Sequence, residues 1–536
     1  MTTVKDAVFD VLRRHGLTTL FCNPGSTEVA LLTGLPDDLR FVLALHEGSV
    51  VGMATGWAIG RDAPALAVLH TTAGLGNAVG AIATARENRA PLVVLVGQQD
   101  RRHLALEPFL AGRLAGLAGD YPVRVDQPVR AQDVPGAVAR AVHEARTSRG
   151  PALVVVPMDD WDAPFEEEVM AAPARLVRPA SVSDAELAPL VELLAGAERP
   201  AIVAGAGVRD GWDALVALAE RLGCPVHQES FGGRAGFPQD HPQYAGVLPA
   251  DRARLRERLA AYDVVLAVGA PVFRQYPYVP GPLIPPGTAV ALVTDDPAEA
   301  HRSPADLAVL AAPEAVCARL TALLPQRPRA TSKRPRATSN PPEAPQQTIT
   351  NGPLQPVDVL RELALRLPAD AALIEETPSA RPDLHRLVPA RTSLGFLSAA
   401  MGGLGFALPA AVGLKMALPD RPVVAVVGDG SALYGLHALW SAAHYRVGAL
   451  FVVLANGRYA VMDRLAEQHG GGKAPWPAFD EIDMGALARS LGCPAVRIGS
   501  HAELTAALDD IMPVLPGRDS PLLLDVAVAV DPRFQP

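Results

Sequence analysis

The stretch from residue 423 to residue 431, Val-Val-Ala-Val-Val-Gly-Asp-Gly-Ser, constrains the fold of this chain more than any other part of it. A short run of small and β-branched apolar residues is typical of a strand that is buried on both faces. Such strands belong to parallel sheets that are covered by helices. We therefore expect an α/β fold, with a helical segment running on to Tyr445 and a second buried strand over 450–455.

Each of these two predicted strands ends in a residue with a hard oxygen. Asp429 stands between two glycines, and Asn456 follows the second strand. Open α/β sheets bind ligands at the carboxyl ends of their strands, and glycine lets the backbone approach a ligand closely. A carboxylate and an amide oxygen beside helix N-termini suit Mg²⁺ that is carried by a phosphate group. Two ordinary strand-to-loop turns are the alternative, and the Gly-Asp-Gly alone would not exclude it.

The chain is too long, at 536 residues, for a single hydrophobic core, and its length predicts three domains. We expect three doubly wound parallel-sheet domains, over 1–170, 180–324 and 357–536. Residues 325–356 are rich in Pro, Arg, Thr, Ser and Gln, and they repeat Arg-Pro-Arg-Ala-Thr-Ser. Such a segment cannot bury enough apolar surface to offset its ordering entropy, so we interpret it as an extended linker.

Polar residues follow the predicted strands of the first domain. Ser26 lies in a turn after the first strand, Glu47 follows the second, and the stretch 70–77 follows the third and precedes a helix predicted over 78–88. Taken singly, Ser26 fits a helix cap, Glu47 a helix start and His70 a buried core histidine. At the ends of neighbouring strands they favour one ligand site.

The central domain has an incomplete nucleotide-binding motif. Its Gly205-Ala206-Gly207 lacks the third glycine of a dinucleotide fingerprint, and no acidic residue follows at a clear strand end. We therefore expect this domain to serve as structure and as a pocket wall.

Charge and cysteine usage exclude several classes of function. A net charge of −9 and a pI near 5.8 give no reason to expect binding to nucleic acid or to an anionic membrane. The chain has no apolar stretch of the ~20 residues needed to span a bilayer and no visible signal peptide. Four cysteines lie far apart without metal-ligand spacing, which indicates buried thiols in a reducing compartment: Cys22, Cys224, Cys317 and Cys493. We expect a cytoplasmic enzyme.

The combined motifs resemble those of thiamine-diphosphate enzymes in the 2-oxo acid decarboxylase and acetohydroxyacid synthase superfamily, with the strongest likeness to benzoylformate decarboxylases. The resemblance covers almost the whole chain. The residues that carry it are Asn23 to Ser26, Leu43 to Glu47, Leu69 to Gly74, Gly97 to Gln99, Gly269 to Arg274, Gly402 to Ala411, and Gly428 to Ser431 with Asn456-Gly457. It implies thiamine diphosphate with Mg²⁺ or Ca²⁺, and a pyrimidine-binding, a central and a diphosphate-binding domain.

The resemblance also implies roles for individual residues. Glu47 would hydrogen-bond the aminopyrimidine ring of the cofactor, while Ser26 and His70 would hold the substrate carboxylate and move protons. Asp429, Asn456 and the backbone carbonyl of Arg458 would bind the metal. The remaining cofactor contacts would come from Thr377, Ser379, Gly430 and Ser431 at the diphosphate, the Gly402 carbonyl at the 4′-amino group, and Leu404 as the wedge that bends the cofactor. In the family each active site lies between two subunits, so a homodimer is the implied minimum and a homotetramer is expected.

Several positions depart from the family pattern. A second active-site histidine is replaced here by Gln275-Tyr276-Pro277, and a phenol is a poor proton shuttle near neutral pH. Arg464 adds a charge with no obvious partner. The residues assigned to the substrate pocket are mostly apolar: Phe109, Leu110, Tyr276, Val461, Met462 and Leu465.

These pocket residues favour an aromatic or branched apolar 2-oxo acid, decarboxylated to an aldehyde and CO2, with carboligation as a further activity. One alternative is an acetolactate-synthase-like carboligase or a specialised 2-oxo acid lyase without FAD. Another is an inactive cofactor-binding relic, which the retention of Glu47, Asp429 and Asn456 disfavours.

Overall fold

Three parallel six-stranded sheets form the protein, each covered by helices. The structure is a computed structural model, and it describes residues 2–165, 182–327, 353–468, 470, 474–531 and 534. The α/β architecture with three doubly wound units is the one that the sequence predicts. Most of the predicted linker, 325–356, and the predicted boundary between the first two domains lie outside the described residues.

The first sheet has the strand order β2-β1-β3-β4-β6-β5, so the chain winds outward in both directions from its centre. Every described pairing in it is parallel. Its strands are β1 Thr19–Asn23, β2 Arg40–Leu43, β3 Ala65–Leu69, β4 Leu92–Gln98, β5 Arg124–Asp126 and β6 Pro151–Pro157, and its helices are α1 Val4–Arg14, α2 Val29–Leu32, α3 Glu47–Arg61, α4 Thr71–Glu87 and α5 Val134–Ser148.

The central sheet has the order β12-β11-β10-β7-β8-β9 and is again parallel. Its strands are β7 Pro200–Ala204, β8 Val226–Gln228, β9 Tyr244–Val247, β10 Val264–Val268, β11 Ala289–Thr294 and β12 Leu307–Leu310, and its helices are α6 Asp184–Gly196, α7 Trp212–Leu222, α8 Arg252–Leu259, α9 Pro297–Arg302 and α10 Pro313–Leu323. Gly205-Ala206-Gly207 follows β7 and enters a short 3-10 helix.

The third sheet has the order β14-β13-β15-β16-β18-β17, which places the stretch that constrained the fold, β15, near its middle. Its strands are β13 Ala372–Glu376, β14 Leu397–Ser398, β15 Val423–Gly428, β16 Leu450–Ala455, β17 Ala495–Ile498 and β18 Leu522–Ala527. Its helices are α11 Pro356–Arg366, α12 Arg381–Leu387, α13 Ala407–Ala417, α14 Asp429–Ala432, α15 His437–His444, α16 Ala460–Gln468, α17 Met484–Ser490 and α18 His501–Ile511.

Two local predictions were wrong. The helix expected over 78–88 begins at Thr71, because burial of Leu75 and Ala78 against the core holds the glycine-rich turn in helical form. The helical segment expected to run on to Tyr445 is two helices, α14 and α15, separated by a turn.

The first and third units of one chain pack closely through α3 and α13. A Cβ atom at Gly56 would overlap the Ala410 carbonyl, and one at Gly413 would overlap the Met53 carbonyl. Glycine at both positions therefore lets the two helix backbones touch. No helix among the described residues is both long and apolar enough to span a membrane.

Candidate active site

Glu47 begins α3 just after β2 and is buried, with 8% of its surface exposed. Asn23 Nδ2 donates to one carboxylate oxygen over 3.0 Å, and Asn77 Nδ2 donates to the other over 3.1 Å. Asn23 ends β1, whereas Asn77 lies on α4. Three elements thus converge on one carboxylate, and each of its oxygens keeps acceptor capacity for a ligand.

The His70 ring packs against the turn that carries Ser26. A Cβ atom at Gly25 would overlap this ring, so the contact requires glycine there. A Cβ atom at Gly74 would lie 3.3 Å from His70 Cβ and 3.5 Å from Glu47 Cγ, which shows that these two side chains flank one helical turn. Ser26 is exposed at the start of a short 3-10 helix. The structure brings Ser26, Glu47 and His70 to one edge of the first sheet.

Glu28 is a buried carboxylate at the same edge, only 2% exposed. Its Oε2 lies 3.1 Å from His70 Nδ1 and accepts from the Gly25 N–H over 2.8 Å, while the Thr27 hydroxyl donates to its other oxygen. A Cβ atom at Gly97 would overlap Glu28, so the glycine in β4 makes room for this carboxylate. The pattern of the sequence does not distinguish Glu28 from an acidic residue placed for the helix dipole.

Gln98, the last residue of β4, fixes the loop that follows the predicted pocket residues Phe109 and Leu110. Its side-chain oxygen accepts from the Gly112 N–H over 3.0 Å, and its amide donates to the Gly112 carbonyl over 2.7 Å. Leu110 has φ of 67°, a left-handed conformation that is unusual for leucine. The loop is therefore held in one specific backbone conformation.

Several apolar residues predicted for the cofactor and substrate contacts are exposed in the single chain. The exposed fraction is 86% for Phe109, 58% for Tyr276, 44% for Met462 and 39% for Leu404. These four side chains are therefore open to solvent in the single chain rather than enclosed in a pocket.

Asp429 follows β15 and accepts three backbone hydrogen bonds. Its Oδ2 accepts from the N–H groups of Asn456 and Gly457, over 2.8 and 2.6 Å, and its Oδ1 accepts from the Gly430 N–H over 2.7 Å. Burial raises the pKa of Asp429, although these hydrogen bonds oppose that rise. Asn456 Oδ1 in turn accepts from the Arg458 N–H over 3.1 Å. The ends of β15 and β16 are thus joined through the two residues predicted to bind a metal.

The oxygens at this edge of the third sheet fit a divalent cation bound to a diphosphate. Carboxylate, amide and carbonyl oxygens are ligands that Mg²⁺ and Ca²⁺ accept. No cluster of three His, Cys, Asp or Glu side chains that could hold a metal ion occurs in the part of the chain that the structure describes. Ser431 is buried in the first turn of α14, and Thr377 and half-buried Ser379 follow the neighbouring β13. A Cβ atom at Gly430 would lie 2.6 Å from the Tyr459 ring, so the tight turn requires glycine.

Glu376 holds the loop that contains Gly402 and Leu404. This buried carboxylate ends β13 and accepts from the N–H groups of residues 405, 406 and 407, over 2.7, 2.8 and 2.6 Å. Burial raises its pKa to about 7. The sequence offered a signal for Glu376, because it is an acidic residue at the end of a buried strand, as Asp429 is.

The predicted pocket residues of the third unit share one short helix. Val461 and Leu465 are half-buried on α16, one turn apart, and Met462 lies beside them. The expectation that Arg464 has no partner was wrong, because its Nη1 donates to Glu467 Oε2 over 2.6 Å on the same helix. The Arg464 side chain therefore lies along the surface of α16, where it is paired with Glu467.

The chain matches known proteins over nearly its whole length. Residues 2–115, 187–320 and 380–526 match the N-terminal TPP-binding, central and C-terminal TPP-binding domains of thiamine pyrophosphate enzymes. A benzoylformate decarboxylase of Pseudomonas aeruginosa is 39% identical over 98% of this chain and 99% of its own length.

Two solved structures have the same fold. A thiamine diphosphate-dependent 4-hydroxybenzoylformate decarboxylase of Rhodococcus jostii gives a TM-score of 0.92 at 34% identity, covering 99% of this chain and 100% of that one. A benzoylformate decarboxylase of Polynucleobacter necessarius gives 0.92 at 30% identity, covering 100% of both chains. These matches confirm the resemblance stated from the sequence: the chain belongs to the thiamine pyrophosphate enzymes, among the benzoylformate decarboxylase-like 2-oxo acid lyases.

Proposed function

We propose that this enzyme converts an aromatic or branched apolar 2-oxo acid to the corresponding aldehyde and CO2, with thiamine diphosphate and Mg²⁺ as cofactors. The observation that carries the proposal is the convergence of Asn23 and Asn77 on the buried Glu47 carboxylate, beside His70. When bound, the cofactor supplies the electron sink that a 2-oxo acid needs to lose CO2.

Glu47 is assigned the hydrogen bond to the aminopyrimidine ring of the cofactor. The two amide donors occupy one lone pair on each oxygen and hold the carboxylate in place. A ring nitrogen can therefore meet a preorganised acceptor, which is the condition for efficient sharing of a proton. Thr377, Ser379, Gly430 and Ser431 are assigned to the diphosphate, and Gly402 and Leu404 to the aminopyrimidine and the bend of the cofactor.

Ser26 and His70 are assigned to the substrate. Because His70 Nδ1 is engaged by Glu28 and Thr27, Nε2 is the ring atom that can exchange a proton with a bound molecule. Ser26 is exposed beside this ring, and its hydroxyl can donate to a carboxylate. Together the two side chains can bind the acid group of a 2-oxo acid and move a proton near its carbonyl.

The substrate side chain is assigned to an apolar surface made by Phe109, Leu110, Val461, Met462 and Leu465, with Tyr276 at its edge. Aliphatic and aromatic groups that are exposed or half-buried favour an apolar aryl or branched alkyl group over a charged one. Tyr276 offers a phenol hydroxyl where the family has its second histidine, so it can orient a polar substituent.

The metal is assigned to Asp429, Asn456 and the carbonyl of Arg458. Hard oxygens and the expected phosphate ligand favour Mg²⁺, and Ca²⁺ is accepted by the same donor set. The four buried free thiols are consistent with a reducing compartment, so we place the enzyme in the cytoplasm.

The working enzyme is at least a homodimer, and we expect a homotetramer. The support is the exposure of Phe109, Met462 and Leu404, whose cover would come from a second copy. Light scattering with and without cofactor tests this assignment: a dimer or tetramer supports it, and an active monomer contradicts it.

A substrate panel tests the proposed reaction. Benzoylformate, 4-hydroxybenzoylformate, branched 2-oxo acids and pyruvate are each supplied with thiamine diphosphate and Mg²⁺, and aldehyde and CO2 are measured. We expect equal amounts of both products from the aromatic or branched acids. In a second arm, pyruvate is supplied together with an acceptor aldehyde. Formation of more ligated product than free aldehyde would favour the carboligase alternative.

A further inference from the structure

The upstream half of the loop over residues 399–406 has little support from its own sheet. It follows β14, which has only two residues and lies at the edge of the third sheet. Gly402 adopts a positive φ of 74°, and Leu404 is 39% exposed. Under the proposed function this loop presents the Gly402 carbonyl and the Leu404 side chain to the aminopyrimidine part of the cofactor. The position of the upstream half must therefore be fixed by contacts from the other units.

Asn88 supplies such a contact from the first unit. This residue caps the C-terminus of α4, the helix that begins next to His70. Its Nδ2 donates to the Ser398 carbonyl over 2.8 Å, and its Oδ1 accepts from the Ala400 N–H over 2.9 Å. The amide thus pairs with the backbone on both sides of residue 399, in the way that a neighbouring strand would.

Arg274 supplies a contact from the central unit. Its Nη1 donates to the Ala400 carbonyl, and its Nη2 lies 3.4 Å from Glu87 Oε2, while its Nε lies 3.9 Å from the buried Glu229 carboxylate. Glu87 and Glu229 therefore flank the guanidinium where it reaches the loop. Both the N–H and the C=O of Ala400 are bound by side chains from other units.

The downstream end of the loop is held differently. There Glu376, from the third unit itself, accepts the N–H groups of residues 405 to 407. The upstream end thus depends on the first and central units, and the downstream end on the unit that carries the diphosphate residues.

We propose that Asn88 and Arg274 are positioning residues for this loop. By binding the Ala400 peptide they set the position of the Gly402 carbonyl, and so the affinity for thiamine diphosphate and the activation of its ring. This inference rests on the proposed function, because it needs the cofactor to lie against Gly402 and Leu404. It gives the central unit a part in positioning the cofactor.

The test compares Asn88→Ala and Arg274→Gln with the parent holoenzyme, with Arg274→Lys as the conservative variant. Arg391→Gln is the matched control. Arg391 also links the central and third units, through an ion pair with Asp240 over 3.5 Å, but neither residue belongs to the loop. The readouts are the Kd for thiamine diphosphate with Mg²⁺, the rate at which the bound cofactor exchanges its C2 proton in D2O, and the melting temperature.

We expect Asn88→Ala and Arg274→Gln each to raise the Kd and to slow C2 exchange at saturating cofactor by about tenfold, the effect of losing a hydrogen bond to a partly buried peptide. Arg274→Lys should recover part of the affinity and part of the exchange rate, because it keeps a cationic donor. Arg391→Gln should change neither.

Unchanged Kd and exchange in both loop variants, or equal losses in Arg391→Gln, would overturn the inference. If one of the two loop variants does not fold, the other decides: a parent-like Kd and a parent-like exchange rate, together with a parent-like melting temperature, would also overturn the inference. A parent that binds cofactor and exchanges its C2 proton, yet turns over no 2-oxo acid, would refute the proposed reaction and leave this inference standing. A parent that does not bind thiamine diphosphate would refute both.

Discussion

The Glu28 carboxylate holds the imidazole of His70, with 3.1 Å between Oε2 and Nδ1. Because Glu28 also accepts from the Gly25 N–H and the Thr27 hydroxyl, it is itself fixed in place. A carboxylate at Nδ1 favours the tautomer in which Nδ1 carries the proton and donates it to the carboxylate, which leaves Nε2 as an acceptor, as in other acid–histidine pairs. Glu28 thus lies at the same sheet edge as Ser26, Glu47 and His70, the residues assigned above to the cofactor and the substrate.

Replacing Glu28 by Gln should lower kcat by about tenfold to a hundredfold, since an amide can present its N–H to the ring and favour the wrong tautomer. The matched control is Glu107→Gln, an exposed carboxylate on the same unit. Steady-state kinetics with benzoylformate measure the effect. Equal kcat for Glu28→Gln and the parent would show that the pair does not position His70.

Gly25→Ala should reduce activity while the protein remains folded. The added Cβ would overlap the His70 ring and displace it from the edge of the sheet. We expect a loss of kcat of at least about tenfold, because small displacements of a catalytic group are costly. Gly136→Ala is the control, since a Cβ there meets nothing within 4 Å in α5 and should raise the melting temperature slightly. Retained activity in Gly25→Ala would contradict the placement of His70.

Removal of the divalent cation should weaken cofactor binding. If Asp429 and Asn456 hold the metal, chelation by EDTA should raise the Kd for thiamine diphosphate, and Mg²⁺ should restore it. Asp429→Ala should raise the Kd by at least about a hundredfold, because the metal ligand and the acceptor of three backbone N–H groups are lost together. Calorimetric titration measures both. A Kd that is indifferent to EDTA would refute the metal assignment.

Glu229 should make the stability of the protein depend on pH. Burial raises its pKa to about 7, from an ordinary value of 4.5. The folded state therefore binds the proton more tightly than the unfolded state. The stability that Glu229 contributes is complete below pH 4.5 and is lost as the pH rises through about 7.

Glu229→Gln should remove this dependence, because the amide oxygen still accepts from the Ala206 N–H but does not ionise. Between about pH 5 and about pH 8, unfolding by urea should show a smaller loss of stability in the variant, by on the order of 2 to 3 kcal/mol. Glu192→Gln, on the surface of α6, controls for the change in net charge. Identical pH profiles for Glu229→Gln and the parent would contradict the prediction.

The runs of apolar residues, and the polar residues that follow them, were sufficient to predict the three parallel sheets and the sheet edges at which the site residues lie. Buried runs such as 423–427 have few alternatives in a chain of this length, and Asp429, Asn456 and Glu47 each stand where a parallel strand ends. The start of α4 was mispredicted because glycine and threonine normally weaken helices, and here packing of Leu75 and Ala78 overrides that preference.

The contacts that organise the site could not be predicted from local sequence patterns, because they join residues far apart in sequence. Asn88 meets Ser398 and Ala400 across two units, and Glu28 meets His70 through a space that Gly97 leaves open. Local sequence explains Asn88 as a helix cap and Glu28 as an acid placed for the helix dipole. Only the tertiary structure shows that Asn88 holds a distant loop and that Glu28 holds His70.

The most direct test of the central claim is the formation of benzaldehyde and CO2 from benzoylformate by the parent and by Glu47→Gln, with thiamine diphosphate and Mg²⁺ present. The parent should release both products in equal amounts. Glu47→Gln should bind the cofactor yet turn over at less than about one hundredth of the parent rate, because the amide cannot share a proton with the aminopyrimidine ring. Turnover in Glu47→Gln at the parent rate would contradict the account.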